Sequence, residues 1–136
     1  MAFSLKGKRI LITGGTAGIG YAVAKRFVDN GADVVISGRR DAGKDIASDI
    51  GARFIRADMM MDDDIVALVE QAVKLLGGLD VVVNNAGIAE SNGGVEKSGP
   101  EEYDNQMDVN LKGVYRILQL VPRHMCAGGS IINTAS

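Results

Sequence analysis

Five short runs of β-branched and aliphatic residues alternate with helical stretches, and this alternation constrains the fold of the chain more than any other feature. The runs are continuously apolar, which is typical of strands that helices cover on both faces. Strands separated by helices predict βαβ units and a parallel sheet. The predicted strands span residues 9–13, 33–37, 53–57, 79–84 and 130–134.

The first three helices are marked by their apolar spacing and by the residues at their ends. The first should end before Gly31, and its inner face should carry Ile19, Val23 and Phe27. The second lies near residues 42–50, with Ile46 and Ile50 inside. The third opens with three aspartates at 62–64, which favour the positive end of a helix dipole. Its predicted apolar stripe comprises Ile65, Leu68, Val69, Ala72, Val73 and Leu76.

The fourth helix is predicted to be the longest. Ser98 and Glu101 have the spacing of a capping box, Pro100 suits the first turn, and Pro122 should kink or end the helix. Asn110 interrupts the apolar stripe, so its amide must either find partners as a core residue or have a specific role. The stripe comprises Tyr103, Met107, Asn110, Leu111, Val114, Ile117, Leu118, Val121 and Met125.

Composition narrows the classes of protein. The 136 residues suit one domain, and a net charge of −2 argues against nucleic acid as a partner. No apolar run is long enough for a membrane span, and the N-terminus lacks the core of a signal peptide. One cysteine, Cys126, fits a reducing cytoplasm and is interpreted as a small hydrophobe near a helix end. With the single His124 it makes at most half a metal site, so no metal is predicted.

Glycines cluster where the first strand meets the first helix, at Gly14, Gly15, Gly18 and Gly20. Glycines there allow a sharp turn and let a diphosphate approach the backbone, while the helix N-terminus faces the phosphates. The spacing departs from the common Gly-x-Gly-x-x-Gly, and no Gly-Lys-Ser/Thr follows as in a P-loop. The loop therefore predicts nucleotide binding, with simple turn formation as the alternative.

Three motifs carry a family resemblance: Thr-Gly-Gly-Thr-Ala-Gly-Ile-Gly at 13–20, Asn-Asn-Ala-Gly at 84–87 and Val-Asn-Leu-Lys-Gly at 109–113. Together, and in this order along the whole chain, they resemble the short-chain dehydrogenase/reductase family. The resemblance implies an α/β fold, a Rossmann-type doubly wound parallel sheet with strand order 3-2-1-4-5. It also implies that residues 1–136 form a single NAD(P)-binding domain, truncated before the family's sixth strand.

The cofactor preference is predicted from the end of the second strand. The family's usual acidic position falls on Gly38, and Arg39 stands where NADP-preferring relatives carry a base. Arginine binds phosphate through paired charged hydrogen bonds, so NADP(H) is predicted over NAD(H); the alternative is that Arg39 and Arg40 are solvated charges. The positions that the resemblance assigns to the cofactor are Gly14, Thr16, Ala17, Gly18, Ile19, Gly20, Ser37, Arg39, Arg40, Asp58, Met59, Asn85, Ala86 and Gly87.

The resemblance gives some of these positions specific roles. Asp58 would hold the adenine, with Met59 in contact with it, and residues 85–87 would line the adenosine ribose and the nicotinamide side. The alternative for Asp58 is a helix N-cap, and the alternative for Met59 is adaptable packing.

The reaction implied by the resemblance is hydride transfer between a nicotinamide and a small carbonyl or alcohol substrate. Asn110 and Ser136 match the family's catalytic Asn and Ser, but the family's Tyr-x-x-x-Lys pair is missing. Tyr21 and Lys25 have its spacing only by coincidence, because both lie in the first helix. These 136 residues alone are therefore predicted to be inactive, since no proton donor is present. The alternative function is a dinucleotide-binding or assembly module without catalysis.

Truncation would leave the fifth strand as an unprotected apolar edge. The chain is therefore expected to be part of a longer protein or a protomer whose edge a partner covers. In the family, the stripe of the fourth helix packs against a neighbouring subunit, so a homo-oligomer is expected.

Overall fold

The computed structural model describes residues 3–89 and 93–135. A five-stranded parallel sheet runs through the molecule in the order β3-β2-β1-β4-β5, which confirms the predicted α/β doubly wound topology. Each of the first four strands lies within one residue of its predicted bounds at either end. The strands are β1 (Arg9–Ile12), β2 (Asp33–Gly38), β3 (Arg53–Arg56), β4 (Leu79–Asn84) and β5 (Met125–Asn133).

Helices cover the sheet on both faces. On one face lie α1 (Gly18–Asp29) and α2 (Gly43–Ile50), and on the other lie α3 (Asp62–Leu76) and α5 (Val114–Leu120). Successive residues of β1 point into opposite layers: Ile10 packs with the α1 and α2 cluster, whereas Leu11 packs with the α3 and α5 cluster. Both side chains are fully buried, which explains why the strands read as continuous apolar runs.

Most of the predicted helix features are confirmed. α3 begins with its three aspartates in the first turn and buries Ile65, Leu68, Val69, Ala72 and Leu76. The chain leaves α1 through Asn30 and Gly31. The prediction for Ile19 is wrong: its side chain is 66% exposed, because the first turns of α1 direct Gly20 and Ala24 towards the interior instead. Val23 and Phe27, further along the same helix, do pack against the core.

The fourth helix is not the continuous α-helix that the sequence predicts. It consists of α4 (Pro100–Met107), a π-helical turn (Asp108–Gly113) and α5. A π-helical turn holds more residues than an α-helical turn and so rotates the following residues. Val109, Gly113 and Ile117, spaced four residues apart, are buried, whereas Asn110 and Leu111 are exposed. The prediction that Asn110 lies on a buried face is therefore wrong.

The predicted capping box at the start of this helix is also wrong. The N-cap of α4 is Gly99, and no side chain caps it. The Ser98 hydroxyl instead donates to the carbonyl oxygen of Val95, at 3.0 Å, within the 3₁₀ turn Val95–Lys97. Pro100 does occupy the first turn, as predicted.

β5 begins earlier than the sequence predicts. α5 ends at Leu120, just before Pro122, and after a 3₁₀ turn the chain enters β5 at Met125. Met125 and Cys126, which were assigned to the fourth helix and its end, thus belong to a strand. The register against β4 shifts after Met125, and regular pairing resumes at Ser130. Among the described residues β5 pairs only with β4, and most of the strand is exposed, as expected for an edge.

Candidate dinucleotide-binding site

A cleft of about 480 Å³ opens at the carboxyl ends of the central strands. The glycine loop between β1 and α1 forms one wall, and the segments after β2, β3 and β4 form the others. This is the edge where open α/β sheets bind ligands. The lining residues are Gly14, Thr16, Ala17, Gly18, Ser37, Gly38, Arg39, Arg40, Ala57, Met59, Asn85, Ala86, Gly87, Ile88 and Val109.

Most of the residues assigned to the cofactor from the sequence meet in this cleft. Ile19, Gly20 and Asp58 were assigned to it as well but do not line it. Gly38, Ala57, Ile88 and Val109 line it without having been predicted. Ala57 and Val109 are buried apolar residues, so nothing in the sequence distinguishes them from other core positions.

Two glycines bring the loops after β1 and β4 into backbone contact. Gly14 has φ +66°, and a Cβ atom there would lie 2.8 Å from the Cα atom of Ala86. A Cβ atom on Gly20 would collide with the carbonyl oxygen of Gly14 and the side-chain nitrogen of Asn85. Larger residues at either position would separate the two walls of the cleft.

The N-terminus of α1 opens into this cleft. Ala17 is the N-cap, no side chain caps the helix, and its first turn contains no acidic residue. The first backbone bond into the helix runs from the Tyr21 amide to the carbonyl oxygen of Ala17. The amides of Gly18, Ile19 and Gly20 therefore have no intrahelical acceptor, and together with the helix dipole they suit an anionic group such as a diphosphate.

Thr13 is a structural residue of the site that the sequence analysis missed. Its side chain is buried between β1 and β4, and its hydroxyl oxygen accepts hydrogen bonds from the amides of Asn85 and Ala86, each at 3.1 Å. The Asn85 side chain in turn donates to the carbonyl oxygen of Gly14, at 3.1 Å. These bonds fix the segment after β4 against the glycine loop. The only sequence signal was the position of Thr13 directly before the glycines.

The end of β2 is basic and has little spare room. Arg39 and Arg40 line the cleft, and no Asp or Glu is among the described lining residues. Within residues 3–89 and 93–135, neither guanidinium forms an ion pair or a hydrogen bond. A Cβ atom on Gly38 would lie 3.1 Å from the Thr16 hydroxyl oxygen, so a carboxylate side chain at that position would displace Thr16.

Asp58 has local partners beside the cleft. Its carboxylate accepts a hydrogen bond from the Met60 amide at 2.9 Å, and its own amide donates to Asp64 at 2.8 Å. The N-cap of α3 is Met61, so the interpretation of Asp58 as an N-cap is wrong. Met59 is buried and lines the cleft. Adenine binding by Asp58 and Met59 stays a prediction.

Asn110 pairs with the backbone of the segment after β4. Its side-chain oxygen accepts from the Ile88 amide and its side-chain nitrogen donates to the Ile88 carbonyl oxygen, each at 2.8 Å. Asn110 is thus exposed, but its side-chain amide is hydrogen-bonded to both backbone groups of Ile88, and Ile88 lines the cleft. The end of β5 reaches the same region, where the Thr134 hydroxyl donates to the Asn85 side-chain oxygen at 3.3 Å. Ser136 lies outside the described residues.

No group of three metal-ligating side chains occurs in the part of the chain that the structure describes. The same part contains no helix of sufficient length and apolar character to cross a membrane.

The fold and the cleft at its carboxyl edge define an α/β protein with a Rossmann-like parallel sheet. Residues 8–136 match the short chain dehydrogenase family, and the chain belongs to that family.

Some relatives of the chain are named for NADP or solved with it, and another is solved with NADH. The chain is 41% identical to an NADP-dependent (R)-specific alcohol dehydrogenase of Lentilactobacillus kefiri, over 100% of this chain and 57% of that protein. A Burkholderia cenocepacia short chain dehydrogenase in complex with NADP is similar with a TM-score of 0.92 and 35% identity, over 98% of this chain and 57% of that one. A Brucella melitensis 3-ketoacyl-(acyl-carrier-protein) reductase complexed with NADH is similar with a TM-score of 0.91 and 39% identity, over 98% of this chain and 58% of that one. The chain thus spans little more than half the length of these relatives.

Proposed function

We propose that this chain is the cofactor-binding portion of an NAD(P)-dependent oxidoreductase that acts on a small carbonyl or alcohol substrate, and that it prefers NADP(H). The observation that carries the proposal is the cleft itself, where free amides at the start of α1 lie beside two unpaired arginines and no described carboxylate lines the walls. An anionic ligand with two separated phosphate groups matches this distribution of charge.

Each wall of the cleft has a separate task in this proposal. The α1 amides bind the diphosphate, Arg39 binds the 2′-phosphate, and residues 85–87 contact the ribose and the nicotinamide side. Bound in this orientation, the nicotinamide ring would supply or accept the hydride. Asn110 holds the backbone at Ile88 and so keeps the nicotinamide end of the cleft in place.

The preference for NADP(H) is supported by what stands at the end of β2. An acidic residue there would accept hydrogen bonds from the ribose hydroxyls and repel a 2′-phosphate. Gly38 offers neither effect, and Arg39 adds a fixed positive charge. Relatives named for NADP and a relative solved with NADH are both similar to this chain, so the preference rests on these residues.

Catalysis needs a proton donor beside the developing alkoxide. The only Tyr-x-x-x-Lys in the printed sequence is Tyr21 with Lys25, in the helix that presents its N-terminus to the phosphates. We therefore expect no carbonyl reduction from these 136 residues alone, with Asn110 and Ser136 contributing only where a Tyr and Lys are supplied. The second candidate is a binding or assembly module, in which the same cleft would bind a dinucleotide without catalysis.

The test is a fluorescence titration of the purified protein with NADPH and with NADH. We expect tighter binding of NADPH, by about tenfold, as a charged bidentate contact would give. Arg39→Gln should remove most of this difference and leave the affinity for NADH unchanged. Arg123→Gln, on the 3₁₀ turn beyond α5, is the matched control and should alter neither affinity. Tighter binding of NADH by the unmodified protein would contradict the proposed preference.

We further propose that the exposed face of the broken fourth helix binds a second copy of this chain. Its large apolar side chains recur every four residues, at Tyr103, Met107, Leu111 and Tyr115, with exposed fractions of 61%, 37%, 59% and 60%. In a regular α-helix residues four apart drift by about 40°, but the wider π turn brings them back towards one face. Tyr103, Met107 and Leu111 belong to the stripe predicted from the sequence, which the family resemblance places against a neighbouring subunit.

Charge along the same helix favours an antiparallel arrangement of two copies. The first half carries Glu101, Glu102, Asp104 and Asp108, and the second half carries Lys112 and Arg116, of which Arg116 is already paired with Asp62 within the chain. A two-fold axis near Leu111 would set the acidic half of one copy against the basic half of the other, which stabilises the pair and fixes its orientation.

A further inference from the structure

An arginine of β3 forms an ion pair with the only acidic residue of the loop between β2 and α2. Nε of Arg56 lies 3.8 Å from the carboxylate of Asp41, and both side chains are largely exposed. Arg56 is the register partner of Gly38, so it stands beside the last residue of β2. Neither Arg56 nor Asp41 was assigned a role by the sequence motifs.

Backbone geometry shows which side of the sheet Arg56 occupies. Side chains alternate along a strand, so Arg56 shares a face with Phe54, which packs with the α1 and α2 cluster. The loop of residues 39–42 crosses this face on its way to α2, and it carries Arg39 and Arg40 at the cleft. Ala57, the residue after Arg56, lines the cleft directly. Arg56 therefore stands at the boundary of the site without being part of its wall.

Asp41 is the residue of this loop whose negative charge would repel a phosphate. It lies two residues after Arg39 and is almost fully exposed. An unpaired carboxylate there would repel a 2′-phosphate, and it would also compete for the two free guanidiniums of Arg39 and Arg40. The ion pair with Arg56 would reduce both effects, because it offsets part of the negative charge and draws the carboxylate towards the β3 side of the loop.

We propose that Arg56 is a specificity-determining residue for the 2′-phosphate of NADP(H), acting through Asp41 as a positioning residue. The proposal rests on the proposed NADP(H) preference and identifies one cause of that preference. Interactions between exposed charges are weak and are screened by salt, so the effect is modest and depends on ionic strength. The affinity for NADH, which lacks the 2′-phosphate, should not depend on the ion pair of Arg56 and Asp41.

The experiment is a pair of NADPH and NADH titrations at low and at high salt. Arg56→Gln should weaken NADPH binding about two- to fivefold at low salt, less at high salt, and leave NADH binding unchanged. The double variant Arg56→Gln with Asp41→Asn should restore the affinity for NADPH, because the uncompensated carboxylate is gone. Asp41→Asn alone should strengthen NADPH binding, and this variant tests the proposal even if Arg56→Gln folds poorly.

Arg53 offers a matched control on the same strand. It is paired with Asp33 at 2.8 Å, at the opposite end of β3 from the cleft. Arg53→Gln should leave the ratio of NADPH to NADH affinity unchanged. The inference is overturned if Arg56→Gln behaves like Arg53→Gln, if it weakens NADPH and NADH equally, or if Asp41→Asn does not strengthen NADPH binding. An effect of Arg39→Gln without one of Arg56→Gln would leave the proposed function standing, whereas a protein that prefers NADH would overturn both.

Discussion

Asn110 and Ile88 form a closed pair in which one side-chain amide satisfies both backbone groups of one residue. The two hydrogen bonds are each 2.8 Å long and join residues 22 positions apart in the sequence. Ile88 lines the cleft, and Asn110 lies in the π-helical turn. The wide turn of the helix and the shape of the cleft are therefore mechanically connected.

Replacement of Asn110 should loosen this connection. We expect Asn110→Ala to lower the free energy of unfolding by about 1–2 kcal/mol, because two hydrogen bonds are lost at a partly solvated position. Affinity for NADPH should fall as well, since the backbone at Ile88 is released. Urea unfolding and a cofactor titration measure the two effects. Glu70→Ala, an exposed change on α3, should leave both quantities unchanged.

Close contact between the loops after β1 and β4 should make Gly14 intolerant of any side chain. Gly14→Ala combines a positive φ with an atom 2.8 Å from the Cα atom of Ala86. We expect a loss of stability above about 2 kcal/mol, made up of backbone strain and overpacking, and a loss of cofactor binding. Gly7 has φ +78° but nothing within 4 Å of its added Cβ atom. Gly7→Ala should therefore cost about 1–2 kcal/mol and spare binding; equal losses of stability would show that the loop contact is unimportant.

Acid should remove a stabilising contribution of Asp80. Hydrogen bonds from the Arg9 side chain, and then from the Cys126 thiol, hold the pKa of the Asp80 carboxyl well below its usual range. A pKa that is depressed in the folded state adds stability above the unfolded value of about 4, and that stability is lost as the pH falls below it.

Asp80→Asn should accordingly destabilise the protein by about 1–2 kcal/mol at pH 7, and the difference from the unmodified protein should shrink steadily below about pH 4. Urea midpoints measured from pH 7 to pH 2 provide the test. Asp29→Asn affects only an exposed pair with Lys25 and should give a small difference with little pH dependence. A constant difference for Asp80→Asn across this range would contradict the assignment.

Self-association through the fourth helix should be abolished by one charge at its centre. Leu111→Glu places a carboxylate on the proposed two-fold axis, where two copies would repel each other. We expect sedimentation to show a monomer for this variant and a dimer or larger assembly for the unmodified protein. Leu75→Glu changes an equally large exposed residue, on α3, and should leave the assembly intact. A monomeric unmodified protein would contradict the proposal.

The sequence predicted the sheet well because burial on both faces leaves a simple signal. β1 to β4 are runs of apolar residues between helices, so their positions could be predicted from the apolar runs alone. The family motifs supplied the order of the strands in the sheet. The glycine loop was equally clear, because Gly14 and Gly20 are required by contacts that admit no side chain.

Errors arose where one local pattern fitted two geometries. The stripe from Tyr103 to Met125 satisfies the spacing of a continuous helix, and nothing in it marks the six residues that adopt a π turn. Ser98 had capping spacing but bonded locally to Val95 instead. The pairing of Asn110 with Ile88, the role of Thr13 and the ion pair of Arg56 depend on loops that meet only in the folded chain.

The π turn also fixes the length of the chain at a place where the surface looks permissive. A π turn holds one residue more than the α-helical segment that spans the same rotation, so removing one residue between Asp108 and Gly113 should convert the segment to α-helix. Ile117 and Leu120 should then keep their places in the interior, while Asn110 would lose its position opposite Ile88. A protein shortened by this one residue should thus retain its core and lose the support that the helix gives to the cleft.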